Sequence, residues 1–140
     1  MTSLLLDTNV LSELRKGARG DANVRAWFAG VESRSLWLSV LVLGEVRRGI
    51  ERIRARDEPA ATALDRWIVK VEHEHASRIL PVDRAIAEEW GRIDAKGGLS
   101  PVDGLMAATA RVHGMVFVTR NVKDVARTGV QLLNPFAPVS

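Results

Sequence analysis

The amino-acid sequence predicts a single α/β domain, a sandwich in which helices cover both faces of a central parallel sheet. Short apolar segments alternate with longer segments of helical periodicity, and this alternation is typical of parallel strands joined by helical crossovers. The 140 residues suit one domain with a sizeable core, and the chain contains no linker, internal repeat or low-complexity segment. We therefore expect residues 1–140 to form one domain.

Five short apolar or β-branched segments are the expected strands. In chain order they are residues 4–6, 36–38, 79–82, 116–118 and 131–133. The first, Leu4-Leu5-Leu6, has no polar position, as expected for a strand that helices cover on both sides.

Five segments with a period of 3.6 residues are the expected helices. They are residues 23–29, 40–55, 60–75, 84–95 and 101–113. Glycines at 97, 98 and 114 are stop signals for the last two. The segment Asp57-Glu58-Pro59 separates the second helix from the third, because proline fits a first helical turn and disfavours helix in the residue before it.

Composition narrows the class of protein. The absence of cysteine excludes disulfides, cysteine-ligated zinc and a thiol nucleophile, and it suits a reducing cytoplasm. No apolar stretch approaches the ~18 residues of a membrane span, so we expect a soluble cytoplasmic protein without membrane contact. The net charge of +3 comes largely from one arginine strip, which either contacts a polyanion or is a solvated helix face. The arginine strip is Arg47, Arg48, Arg52, Arg54 and Arg56.

Two carboxylates lie where a solvated acid is not expected. Asp7 follows the strand 4–6, so its side chain should emerge at the carboxyl edge of the sheet, where open α/β sheets bind ligands. Local turn chemistry is the alternative for Asp7. Glu45 is in register with the apolar stripe of the helix 40–55 and therefore needs a cation, a hydrogen-bond donor or a proton. A salt bridge with a buried arginine is the alternative for Glu45.

Two further acids can reach the same edge. Asp103 lies in the first turn of the last long helix, and Asp124 lies one turn beyond the strand 116–118. Each also has a capping explanation, because Ser100 and Asp103 resemble a capping box and Asn121 could cap a short helix that contains Asp124. Helices on either face of one sheet can aim these acids at a shared crevice.

A carboxylate cluster without histidine or cysteine matches Mg²⁺ or Mn²⁺ better than Zn²⁺. Such a site suits phosphodiester hydrolysis, because metal ions neutralise the phosphate, lower the pKa of a bound water and stabilise the departing 3′ oxygen. The three histidines show no metal spacing, and we expect them at the surface or around the site: His73, His75 and His113. The tryptophans are expected to anchor the core: Trp27, Trp37, Trp67 and Trp90.

Four segments together resemble the PIN-domain ribonucleases, and within them the VapC-type toxins of bacterial toxin–antitoxin pairs. The segments are LLLDTNVLSELR at 4–15, SVLVLGEVRRGI at 39–50, LSPVDGLMAATARVHG at 99–114 and VTRNVKDVARTGVQLLNPF at 118–136. The resemblance implies a PIN-like α/β/α sandwich, a metal-dependent endoribonuclease, a homodimer, and a small antitoxin that occupies the active site in a toxin–antitoxin hetero-oligomer.

The resemblance also implies the site residues. Thr119 and Asn121 match the family's polar residues beside the site, whereas Val125 replaces an aromatic residue that similar proteins often carry. Asp7 and Asp103 would bind the principal Mg²⁺ or Mn²⁺ ion. Glu45 would contribute directly or through water, and Asp124 would hold a second ion or orient a metal-bound water. The family's acidic quartet corresponds to Asp7, Glu45, Asp103 and Asp124.

Three cations are candidates for contacts with the RNA backbone: Arg15, Lys16 and Arg120. Two other classes of function stay open at this point. A haloacid-dehalogenase-like phosphatase also carries an aspartate after its first strand, but its second aspartate would fall at Asn9. A non-catalytic PIN-fold binding module would have lost the acidic quartet's activity while keeping the fold.

Overall fold

The computed structural model describes residues 2–138 and contains a five-stranded parallel sheet. The strands are β1 (Leu4–Leu6), β2 (Leu36–Ser39), β3 (Ile79–Leu80), β4 (Val116–Val118) and β5 (Leu132–Leu133). Strand β3 is shorter than predicted because it stops before Pro81, which has no N–H to donate to a ladder. Helices flank the sheet, and the predicted fold class is confirmed.

Seven α-helices lie in the described part of the chain. They are α1 (Thr8–Arg15), α2 (Ala22–Ala29), α3 (Val40–Arg54), α4 (Glu58–Glu74), α5 (Arg84–Ile93), α6 (Pro101–His113) and α7 (Val122–Val125). The five predicted helices are all present, whereas α1 was not predicted and α7 appeared only as an alternative explanation of Asp124. Among residues 2–138, no helix has the length and apolar character needed to cross a membrane.

Helix α1 begins directly at the end of β1. Asp7 is its N-cap, and the Asp7 carboxylate accepts a hydrogen bond of 2.7 Å from the backbone N–H of Thr8. Only Val10 and Leu11 are buried in this eight-residue helix, so its apolar periodicity is too short to recognise in the sequence.

The strand order is β3-β2-β1-β4-β5. The chain moves outward from β1 to β3 and then returns to the other side of β1, where β4 and β5 follow. The β1–β4 junction is therefore the topological switch point, where open α/β sheets form their ligand crevice. Leu6 pairs with Val118, and the backbone N–H of Asp7 donates to Val118 O at 2.9 Å. Residues that follow β1 and β4 consequently meet at one edge.

Part of the arginine strip joins α3 to α4. Arg47 and Arg54 each reach a carboxylate oxygen of Asp65 at 2.7 Å, and Arg54 also contacts Glu51 and Glu58. These two arginines are therefore engaged within the protein. The remaining members of the strip have no ion pair among the described residues: Arg48, Arg52 and Arg56.

Helix α6 is held close to α5 by a glycine. A Cβ added at Gly104 would lie 2.6 Å from the Trp90 ring, so a larger residue would force the two helices apart. The α6 positions from Met106 to Ala110 are all buried. This packing fixes the first turn of α6, which carries Asp103.

His75 corrects an expectation about the histidines. It is buried, with 8% of its surface exposed, although His73 and His113 are exposed as predicted. His75 caps the end of α4, where its Nδ1 lies 2.9 Å from the carbonyl oxygen of Val71. The helix end thus turns this ring inward, and spacing along the sequence could not reveal that turn.

Candidate active site

Asp7 and Thr119 lie side by side at the switch point. Asp7 follows β1 and Thr119 follows β4, and both side chains are buried. The Thr119 hydroxyl donates to Asp7 Oδ2 at 2.6 Å, while Thr8 N–H donates to Asp7 Oδ1. Both oxygens of this carboxylate are therefore bound by neutral donors, and no cation in residues 2–138 pairs with it.

The pKa of Asp7 is raised from 3.8 to about 6. Burial is the largest cause, because it disfavours the charged form, and hydrogen bonds from Thr119 and Thr8 partly offset it. The negative charges of Asp103 and Glu45 raise the pKa as well. Three of the predicted acids are thus close enough to interact electrostatically, as convergence at one crevice requires.

Glu45 reaches the crevice from the middle of α3. It is half-buried, and the Thr8 hydroxyl donates to its Oε1 at 2.5 Å. No ion pair of Glu45 occurs within the described residues, so the alternative of a buried salt bridge with arginine is wrong. The donor that this half-buried carboxylate needs is a neutral hydroxyl.

Asp103 combines a capped backbone with a side chain directed at the site. Its N–H donates to Ser100 Oγ at 3.2 Å, which confirms Ser100 as the N-cap of α6. Its carboxylate accepts a 3.3 Å hydrogen bond from Asn121 Nδ2. Asn121 N–H in turn donates to the Thr119 hydroxyl at 3.0 Å, so a chain of hydrogen bonds links Asp103 to Asp7.

Asp124 is not part of this hydrogen-bond network. It lies in α7, its side chain is exposed, and it forms no hydrogen bond or ion pair within residues 2–138. Asn121 occupies the N-cap position of α7, but its side chain makes no capping hydrogen bond. The alternative of side-chain capping by Asn121 is therefore wrong. The structure brings three members of the acidic quartet together, whereas the side chain of the fourth is exposed and outside the network.

The donor chemistry of the site fits a hard divalent cation. Its carboxylates are bound only by hydroxyl, amide and backbone N–H groups, which leaves their negative charge uncompensated. Oxygen ligands without nitrogen or sulfur suit Mg²⁺ or Mn²⁺. No group of three acidic or histidine side chains in the described range is arranged as a ready metal-binding cluster. Metal binding would therefore require side-chain adjustment from the hydrogen-bonded arrangement.

Two residues of the site were missing from the sequence-based candidates. Thr8 bonds Glu45 through its hydroxyl, and Asn9 lies between the two strand ends. Asn9 Nδ2 donates weakly to Asp7 at 3.4 Å, and Asn9 Oδ1 accepts from Arg120 N–H at 3.3 Å. The available signal was that both polar residues follow Asp7 at the end of a buried strand, where local turn chemistry is the alternative explanation.

Comparisons with known proteins identify relatives of the whole chain. A family model described as "PIN domain" matches residues 4–130. VapC ribonuclease Y4jK of Sinorhizobium fredii is 31% identical, covering 96% of this chain and 99% of that protein. Toxin FitB of Neisseria gonorrhoeae is 27% identical, covering 95% of this chain and 98% of that protein.

A solved structure agrees with this relationship. The structure of FitAB bound to an IR36 DNA fragment contains a chain with a TM-score of 0.86 and 29% sequence identity, covering 98% of each chain. The segment matched by the family model includes both ends of the β1–β4 junction and every member of the acidic quartet.

Proposed function

This chain belongs to the PIN domain family, and we propose that it is a ribonuclease that serves as the toxin of a toxin–antitoxin pair. The names of its relatives, VapC ribonuclease and toxin FitB, support this function. The observation that carries it is the juxtaposition of Asp7, Glu45 and Asp103 at the switch point, where only neutral donors bind their carboxylates.

We propose RNA phosphodiesters as the substrate and Mg²⁺ or Mn²⁺ as the cofactor. Asp7 and Asp103 would hold the ion, and Glu45 would contribute directly or through water. Such an ion, when bound, supplies positive charge that offsets the phosphate charge and eases deprotonation of the attacking water. The expected products carry a 5′ phosphate and a 3′ hydroxyl.

The neutral residues orient the carboxylates. The Thr119 hydroxyl holds Asp7, and the Asn121 amide holds Asp103. Removal of either donor would release a carboxylate from the position in which it would hold the ion. Asp124 has no such partner, so we assign it a supporting role at the rim, at a second ion or on the attacking water.

The proposed protein partner is an antitoxin that covers the acidic crevice. An arginine side chain suits this crevice, because its guanidinium can donate to two carboxylates at once. The solved FitAB assembly on DNA supports a two-protein complex. A homodimer, a toxin–antitoxin hetero-oligomer and a cytoplasmic location remain predictions. Pull-down from native cells should recover a small partner, and harmless overexpression of the isolated chain would count against a toxin.

The phosphatase alternative is disfavoured by Asn9. The position that would carry a second, acidic aspartate holds an amide, which bridges the Asp7 carboxylate and the Arg120 N–H. An amide cannot protonate a leaving group. The non-catalytic module is disfavoured by the three interacting carboxylates, since a binding module has no need to confine mutually repelling charges.

Incubation of purified, antitoxin-free protein with structured RNA tests the proposed nuclease. We expect cleavage with Mg²⁺ or Mn²⁺ and none with EDTA. Asp7→Asn protein purified in the same way controls for contaminating nucleases. Equal cleavage by this variant, or no cleavage by the wild type with either metal, would reject the proposal, and trapping by beryllofluoride would favour the phosphatase.

A further inference from the structure

The three cations that the sequence suggested for contacts with the RNA backbone fall into two groups. Lys16 pairs with Glu13 at 3.0 Å. Arg15 and Arg120 differ, because neither forms an ion pair with any residue from 2 to 138. Each instead lies over an aromatic ring.

Arg15 lies on the Glu45 side of the site. Its Cζ is 5.8 Å from the centroid of the Trp67 ring, and both residues line the cleft that Glu45 also lines. Thr8 and Ser12 precede Arg15 by seven and three positions on α1 and line the same cleft. One face of α1 therefore runs from the Glu45 carboxylate to the Arg15 guanidinium.

Arg120 lies on the other side of Asp7. It follows Thr119 at the end of β4, and its Cζ is 4.6 Å from the centroid of the Phe136 ring. Phe136 is itself anchored, because its carbonyl accepts a 2.8 Å hydrogen bond from Asn23 Nδ2. Since β1 lies between β2 and β4, Arg120 and the cleft beside α3 are on opposite sides of the Asp7 carboxylate.

An aromatic support orients a guanidinium without neutralising it. A carboxylate partner would occupy the N–H donors of arginine, whereas an aromatic ring contacts its planar face and leaves the donors at the edge free. The crevice itself is negative and repels a polyanion. Positive charge on its two sides offsets this repulsion and provides contacts that position a nucleic-acid backbone without reading its bases.

We propose that Arg15 and Arg120 bind RNA phosphates on the two sides of the scissile phosphate, oriented by Trp67 and Phe136 respectively. This inference rests on the proposed ribonuclease function and specifies how the same site holds its substrate. It also separates the three cations considered from the sequence, because Lys16 is already engaged by Glu13.

RNA binding without cleavage tests the inference. Fluorescence anisotropy of a short labelled single-stranded RNA is measured in EDTA over a series of KCl concentrations. Arg15→Gln and Arg120→Gln should each weaken binding and lower the slope of log affinity against log salt by about 0.7, and the double variant by about twice that. Lys16→Gln, next to Arg15 in sequence but paired with Glu13, is the matched control and should leave the slope near that of the wild type.

A charge-conserving substitution tests the aromatic support. Arg120→Lys keeps the charge but loses the planar contact with Phe136. The slope of log affinity against log salt should therefore stay near that of the wild type, while the affinity for RNA falls about two- to fivefold. Melting temperatures verify that each variant is folded. Wild-type protein that neither cleaves nor binds RNA would reject the proposed function. Wild-type protein that binds RNA, with an unchanged slope in both Gln variants, would reject this inference alone and assign the arginines to a protein partner or to solvent.

Discussion

The hydroxyl of Thr119 donates a hydrogen bond of 2.6 Å to the Asp7 carboxylate across the boundary between β4 and β1. The two residues are 112 positions apart in the sequence, and both are buried. Their contact places the end of β4 against one of the three interacting carboxylates. Asn121 then extends the connection from Thr119 to Asp103. The pairing of β1 with β4 therefore also positions the Asp7 and Asp103 carboxylates relative to each other.

The raised pKa of Asp7 predicts a pH-dependent cost to stability without metal. The folded-state pKa of about 6 exceeds the ordinary value of 3.8, so the folded state resists ionisation. The wild type should therefore lose stability relative to Asp7→Asn as pH rises through this window. The difference should approach about 3 kcal/mol, because each pH unit between the two pKa values corresponds to about 1.4 kcal/mol.

Urea unfolding in EDTA from about pH 4 to pH 8 measures this difference. Asp124→Asn is the control, because it makes the same chemical change at an exposed carboxylate outside the hydrogen-bond network. A wild-type-minus-Asp7→Asn difference that stays constant across the series would contradict the prediction.

A divalent cation should stabilise the wild type and have little effect on Asp103→Asn. At about 100 times the dissociation constant, binding contributes roughly 2.7 kcal/mol, and each kcal/mol raises the melting temperature of a domain of this size by about 3 to 6 °C. Without metal, Asp103→Asn should be more stable than the wild type, because one charge repelling Asp7 is removed.

Melting curves with EDTA and with Mn²⁺ test this pair of effects. The substitution leaves the Ser100 cap intact, because Ser100 accepts from the backbone N–H of residue 103. A variant that is destabilised in EDTA and still gains the full increment from Mn²⁺ would show that the Asp103 carboxylate acts in capping and not in metal binding.

Cleavage should depend unequally on the acidic quartet. Asp7→Asn and Asp103→Asn should each lower the rate by at least ~10²-fold, because each removes a charged ligand of the proposed ion. Asp124→Asn should lower it by less than about tenfold, since Asp124 lies outside the hydrogen-bond network. Single-turnover cleavage with Mn²⁺ measures all three, and near-normal rates for both Asp7→Asn and Asp103→Asn would rule out the metal-dependent mechanism.

Thr8 should act through Glu45. Thr8→Val keeps the side-chain shape but removes the hydroxyl that donates to Glu45 Oε1, so cleavage should fall by about 10- to 100-fold, the range for residues that orient metal ligands. Thr8→Ser retains the donor and should restore most of the rate. The apparent Mn²⁺ affinity in cleavage should weaken in Thr8→Val, and loss of rate in both variants to the same extent would indicate a different role.

Apolar periodicity was sufficient to predict the sheet and the long helices. Strands β1 and β4 were located from their continuous apolar residues, and α6 was bounded by Ser100 and Gly114. These signals are local, because burial on one face of a helix or on both faces of a strand determines residue type within a few positions. Helix α1 was not predicted, because eight residues with two buried positions carry little apolar periodicity.

The sequence by itself determined which acids are candidates for the site, whereas only the tertiary structure decided how their side chains are held. Glu45 could have paired with an arginine, but the packing of α1 beside α3 provides the Thr8 hydroxyl, 37 positions away. Asp103 and Asp124 had equivalent capping explanations, yet Asn121 bonds Asp103 and leaves Asp124 exposed. A hydrogen-bond partner is set by which elements the strand order and helix packing bring within about 3 Å, and residues distant in sequence meet only through that arrangement.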